Sequence, residues 1–212
     1  MKSKTSSETT MIAISTLRRL GLFLAAALLT LAIMPASARG DWDRDGEYQQ
    51  TNLVADLPGV ALLQDTNLVN AWGMSFSAAS PFWISDNGSG LTTLYAVTYT
   101  NGTVHVAKQG LQVGIPGEGN PTGQLFNGTT AFHTNVFIFA GEDGTISGWR
   151  GALGTTAELL VTRSNAVYKG ITLVSSAGGP VLLAANFREG TLDAYDTNLT
   201  LVAQYADPAA PA

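Results

Sequence analysis

The feature that most constrains the fold is a pair of landmarks that recurs three times in the same order. Trp72-Gly73-Met74, Gly123-Gln124-Leu125 and Lys169-Gly170-Ile171 each set a glycine beside a bulky aliphatic residue, and these glycines are 50 and 47 residues apart. The second landmark is Gly90-Leu91-Thr92-Thr93-Leu94-Tyr95, Gly144-Thr145-Ile146-Ser147-Gly148-Trp149 and Gly190-Thr191-Leu192-Asp193-Ala194-Tyr195, with glycines 54 and 46 apart. An apolar run precedes each second landmark: Phe82-Trp83-Ile84, Val136-Phe137-Ile138-Phe139 and Val181-Leu182-Leu183. Fixed order at matching intervals marks an internal repeat of ~40 to 50 residues.

Each repeat reads as four short strands. The first gives 72–77, 82–86, 91–97 and 103–107. The second gives 124–127, 136–140, 145–149 and 157–162, and the third 170–174, 181–186, 191–195 and 199–204. Asn87-Gly88 and Asn101-Gly102 predict tight hairpin turns, because both residue types tolerate positive φ. The aromatic residues that end the third strands, Tyr95, Trp149 and Tyr195, are expected to fill the space between neighbouring sheets. Four-stranded units of this length are the signature of a β-propeller. The predicted fold class is therefore all-β, with about three blades at 68–108, 120–163 and 168–206. A leftover strand at 52–56 is expected to close the last blade. Three blades fall short of the ~4 to 8 that close a ring. The expectation is a partial ring, the first part of a longer propeller, with two copies joined through open blade edges as the alternative.

Composition narrows the function. With no cysteine there is no disulfide framework, thiolate metal site or cysteine nucleophile. Only 11 Lys and Arg residues against 16 Asp and Glu argue against a nucleic-acid partner, whose binding draws on clustered cations. At the N-terminus, Lys2, Lys4, Arg18 and Arg19 precede an apolar run at 20–34, then Ala36-Ser37-Ala38. This is the pattern of a signal peptide over 1–38 cleaved after Ala38, too short in its apolar part for a comfortable membrane span of ~20 residues. The exported chain would be periplasmic or extracellular, with no stable span left after cleavage. An acidic linker follows at 39–51. Its Asp41, Asp43 and Asp45 alternate ahead of Gly46, like the first half of a calcium loop, but Asn52 stands where the closing Glu belongs. A solvated leader is the simpler reading, with a weak calcium site as the alternative; no other cofactor is expected.

Several stretches together resemble a known family: Asn52-Leu53-Val54-Ala55-Asp56-Leu57-Pro58-Gly59, Leu68-Val69-Asn70-Ala71-Trp72-Gly73-Met74, Ser80-Pro81-Phe82-Trp83-Ile84-Ser85-Asp86-Asn87-Gly88, Phe137-Ile138-Phe139-Ala140-Gly141-Glu142-Asp143-Gly144-Thr145 and Ala184-Ala185-Asn186-Phe187. They look like the N-terminal half of an uncharacterised family of exported bacterial propeller proteins, some of which carry a PEP-CTERM sorting signal. The resemblance implies a six-bladed fold and no established activity.

In a propeller the innermost strands and the loops entering them line a central channel. Asn70, Trp72, Asn120, Thr122, Tyr168 and Lys169 are therefore candidate ligand contacts. Asp86 and Asn186 end second strands and offer oxygens to a calcium ion or a sugar hydroxyl; the competing reading is that such residues merely start turns. No catalytic residues are assigned. His105 and His133 lack a metal-ligand spacing, and no G-x-S-x-G elbow presents a serine. Glu142-Asp143 reads as a water-facing hairpin tip, and Gly110, Gly114, Gly117 and Gly119 as a flexible connection. The favoured function is a non-catalytic exported binding or scaffold protein for an envelope or extracellular protein or a glycan. The alternative is a metal-assisted lactonase-like hydrolase.

Overall fold

Alternating apolar and polar residues, broken by glycine-rich turns, fold the repeats into three antiparallel meanders of four strands each. The structure is a computed structural model and describes residues 50–206. Sheet 1 contains β3 (Ala71–Ser75), β4 (Phe82–Asp86), β5 (Leu91–Thr100) and β6 (Thr103–Gly114). Sheet 2 contains β7 (Pro121–Phe126), β8 (Phe137–Gly141), β9 (Thr145–Trp149) and β10 (Glu158–Thr162). Sheet 3 contains β11 (Tyr168–Ser176), β12 (Gly179–Asn186), β13 (Thr191–Tyr195) and β14 (Leu201–Ala206). Ahead of them, β1 (Val54–Ala55) pairs in parallel with β2 (Leu63–Gln64). Among the described residues the fold is thus all-β, with repeated four-stranded sheets that do not close on one another. Among the described residues no helix is long and apolar enough to cross a membrane.

Register explains the packing. Asp86, Gly141 and Asn186 each end the second strand of their sheet, so Trp83, Ile138 and Leu183 are equivalent, as are Ile84, Phe139 and Ala184. Because side chains alternate across a strand, the two sets lie on opposite faces. Trp83, Leu94 and Val113 of sheet 1 pack against Phe137, Phe139 and Ala157 of the second repeat, with the Trp83 and Phe137 rings stacked 4.0 Å apart. The other face of sheet 2, Ile138, Ala140 and Ile146, packs with Leu182, Ala184, Tyr168 and Tyr195 of sheet 3. One face of each sheet therefore trails onto the leading face of the next.

The landmark glycines set how closely the first strands approach. A Cβ on Gly73 would lie 2.4 Å from the Thr122 carbonyl oxygen and 2.9 Å from the Gln124 nitrogen. On Gly123 it would lie 2.7 Å from the Ile171 nitrogen and 2.8 Å from the Gly170 Cα. These neighbours are backbone atoms, so only glycine lets β3, β7 and β11 lie side by side. The equivalent position on Gly170 meets nothing within 4 Å.

Several expectations need correction. The strand expected at 52–56 is shorter and is not without a partner: Val54 and Ala55 pair with Leu63 and Gln64. Asn101-Gly102 is a left-handed pair with φ of 53° and 77°, but Asn87-Gly88 is not; the β4–β5 turn takes its positive φ, 69°, at Gly90. Gly110 and Gly114 are not in a flexible connection, because β6 runs through both. The Gly114 N–H and carbonyl continue onto the Thr155 carbonyl and the Ala157 N–H.

Candidate functional site

The first strands of all three sheets begin on one side of the molecule, and their leading residues meet there. Asn70, with φ of 52°, donates from its side chain to the Asn87 side-chain oxygen at 2.9 Å. Asn87 donates in turn to Glu142 at 3.0 Å, and Lys169 donates to the other oxygen of the same carboxylate. This chain runs from the β3 entry, through the β4–β5 and β8–β9 turns, to β11, and so ties the three repeats together. The Lys169 ammonium also lies over the Trp72 ring, 4.9 Å from its centroid, a cation–π contact. The bonds from Lys169 and Asn87 hold the Glu142 pKa below its ordinary value. Glu142 therefore presents a charged carboxylate rather than an inert hairpin tip.

The polar chain leaves part of the patch open. Trp72 is 46% exposed although it stands at the meeting point of three sheets. Asn120 contributes its backbone carbonyl to the Glu142 N–H at 3.2 Å, while its side-chain oxygen is buried without a hydrogen-bond partner. Thr122 lies deeper and fully buried, donating to the Tyr168 carbonyl at 2.8 Å.

Of the predicted ligand contacts, Asn70, Trp72, Asn120 and Lys169 thus come together. Tyr168, Asn186 and Asp86 do not join them; all three are buried within the sheets. The Tyr168 hydroxyl bonds to Asp193 at 2.9 Å and to the Tyr195 hydroxyl at 2.6 Å. The Asn186 amide donates to Glu189 at 2.7 Å and Asp193 at 3.2 Å, and its oxygen accepts from the Val167 N–H at 3.2 Å. Asp193 also accepts from Gln204 and Thr191, both at 2.9 Å, and pairs with Arg163 at 3.5 Å. Burial raises the Asp193 pKa, but these donors outweigh it and the net shift is downward. Tyr168 and Tyr195 are both pushed up, chiefly by burial.

A different network occupies sheet 1. Asp65, nearly buried, accepts from the Tyr95 hydroxyl at 2.7 Å and from Lys108 at 2.8 Å on one oxygen and 2.7 Å on the other. Burial works against its charge, yet these bonds leave its pKa lowered. Asp86 is fully buried, and neither of its oxygens has a hydrogen-bond partner. Burial pushes its pKa up to about 7; the Thr93 hydroxyl nearby opposes the shift and the Asp65 charge adds to it.

Asn87 and Glu142 are the site residues that reading along the sequence misses, since their partners lie 55 and 27 residues away. Among the described residues no three His, Cys, Asp or Glu side chains gather to hold a metal ion. Asp41, Asp43 and Asp45 lie outside the described residues. No family model and no curated protein matches the chain.

Proposed function

We propose that the three sheets are consecutive blades of a β-propeller and that the chain is an exported, non-catalytic binding protein whose ligand is a glycan. The observation that carries the reading is the exposed Trp72 ring beside the Asn70–Asn87–Glu142–Lys169 chain. A flat aromatic face takes the apolar side of a sugar ring, while amide, carboxylate and ammonium groups bond to its hydroxyls. Export rests on the basic and apolar pattern of residues 1–38, and the blade reading on the glycine-limited approach of β3, β7 and β11.

A panel of neutral oligosaccharides, screened against the full chain and followed by calorimetry on the best binder, tests this reading. Trp72→Ala is expected to abolish binding and leave the melting temperature unchanged, since the ring is not part of the core. Equal binding by wild type and Trp72→Ala, or no binding to any glycan of the panel, would overturn it.

A further inference from the structure

Among the described residues, the trailing face of sheet 3 and part of the leading face of sheet 1 are left open. In sheets 1 and 2 the trailing face is covered: Thr92 and Ile146, equivalent in register, are fully buried, Ile146 within the core shared with sheet 3. Leu192 is the equivalent residue of sheet 3, paired with Ala185 as Thr92 is with Ser85, and it is 43% exposed. Around it lies an apolar hollow of about 410 Å³ lined by Ala185, Phe187, Leu192 and Tyr205. Gly170 repeats the pattern on the first strand, since the slot that β7 fills beside Gly73 and β11 beside Gly123 is vacant here.

The leading face of sheet 1 is the complement. Phe82 and Ile84 are equivalent to Phe137 and Phe139 and to Leu182 and Ala184, all four of them buried against a preceding sheet. Here residues 51–65 cover part of the face, and between them and the sheet lies a cavity of about 630 Å³, lined by Leu53, Val54 and Val60 on one side and by Met74, Phe82 and Ile84 on the other. Met74 shares the register of Gln124 and Ile171, the residues that reach into the neighbouring slot, and is 60% exposed.

We propose that a second copy of this chain occupies these faces, the trailing face of sheet 3 in each copy seating on the leading face of sheet 1 in the other, with β3 of one copy in the Gly170 slot of its partner. The contact continues the interface that already joins sheet 1 to sheet 2 and sheet 2 to sheet 3. It is heterologous, and such contacts end only by closing a ring. Two copies supply six sheets, within the ~4 to 8 that closed propellers use. The proposal rests on the reading of the sheets as consecutive blades.

Sedimentation equilibrium on the full chain tests it. The wild type is expected at twice the chain mass. Gly170→Val, whose Cβ would meet nothing within 4 Å in its own chain, and Leu192→Arg are each expected to return it to the single-chain mass with the β-type circular dichroism retained. Because the chain has no cysteine, L192C and M74C report on the geometry: oxidation is expected to link the two in a mixture and to link neither with itself. A wild type that stays at the single-chain mass, open-ended polymers, or self-linking of L192C would overturn the proposal. Failure of the blade reading itself would show differently, as a Gly73→Ala chain that folds as stably as wild type.

Discussion

Sheets 1 and 3 are built on the same register, and their interiors differ in how a buried carboxylate is treated. In sheet 3 the strand-ending position holds the neutral Asn186, and the charge sits one strand over on Asp193, where Gln204, Thr191, Tyr168 and Arg163 surround it. In sheet 1 the strand-ending position holds Asp86 itself, opposite Leu91, with Thr93 where sheet 3 has Asp193. The charge that sheet 1 does satisfy, Asp65, comes from outside the sheet and takes up Lys108 and Tyr95. A buried carboxylate with several donors keeps its charge, whereas one without them keeps its proton. The scaffold is shared, and the electrostatics follow from which strand carries the acid.

Removing the best-satisfied charge should have the largest effect. Asp193→Ala strips the acceptor from Tyr168, Asn186 and Gln204 and leaves Arg163 without its buried partner. A loss of about 3 kcal/mol or more is expected in urea unfolding, the range for breaking one side of a buried pair. Gly73→Ala comes next: its Cβ would strike the backbone of β7, so a loss of about 1–3 kcal/mol from overpacking is expected. Gly170→Ala, at the same position in sheet 3, should be within about 0.5 kcal/mol of wild type in the single chain. Equal losses for the two alanines would break the comparison.

Asp86 gives a pH signature of opposite sign to its neighbours. Its folded pKa, about 7, is above the ordinary 3.8, so the folded state holds a proton that the unfolded chain has released across that window. Stability contributed by this group is therefore present at acid pH and falls as the pH rises toward 7, with a limiting slope of about 1.4 kcal/mol per pH unit. Asp65 and Asp193, both lowered, act the other way and lose their contribution below the ordinary carboxylate range. Asp86→Asn, which gives sheet 1 the residue type of sheet 3, is expected to flatten the loss between pH 4 and pH 7 and to raise the melting temperature at neutral pH. Smallest of all, Lys108→Met should raise the Asp65 pKa and move the acid unfolding midpoint upward, since the side chain is already 27% exposed.

Much of this architecture is legible in the sequence because it is local. Alternation and turn glycines place all twelve sheet strands near their observed positions, and Asn101-Gly102 forms the left-handed pair its residue types favour. Asn87-Gly88 does not, because Gly88 is held against Val69 and the turn closes through Gly90 instead. The role of the landmark glycines is less legible: the spacing reveals the repeat, but the close approach they allow depends on which strands become neighbours. Where the candidate contact residues lie is only partly legible for a similar reason. Tyr168 and Lys169 are adjacent in the chain, yet neighbouring strand residues point to opposite faces, so Lys169 reaches the patch and Tyr168 the core. Asp86 and Asn186 end strands, where turns also start, and the residues that enclose Asn186, such as Val167 and Asp193, are brought to it only by the fold.

The contrast between the two buried acids is measured most directly by carbon-13 NMR titration of the aspartate side-chain carboxyls in the folded chain. The account predicts that Asp86 titrates near pH 7, while Asp65 and Asp193 remain ionised down to below their ordinary value. An Asp86 midpoint near 4, together with the other two, would contradict it.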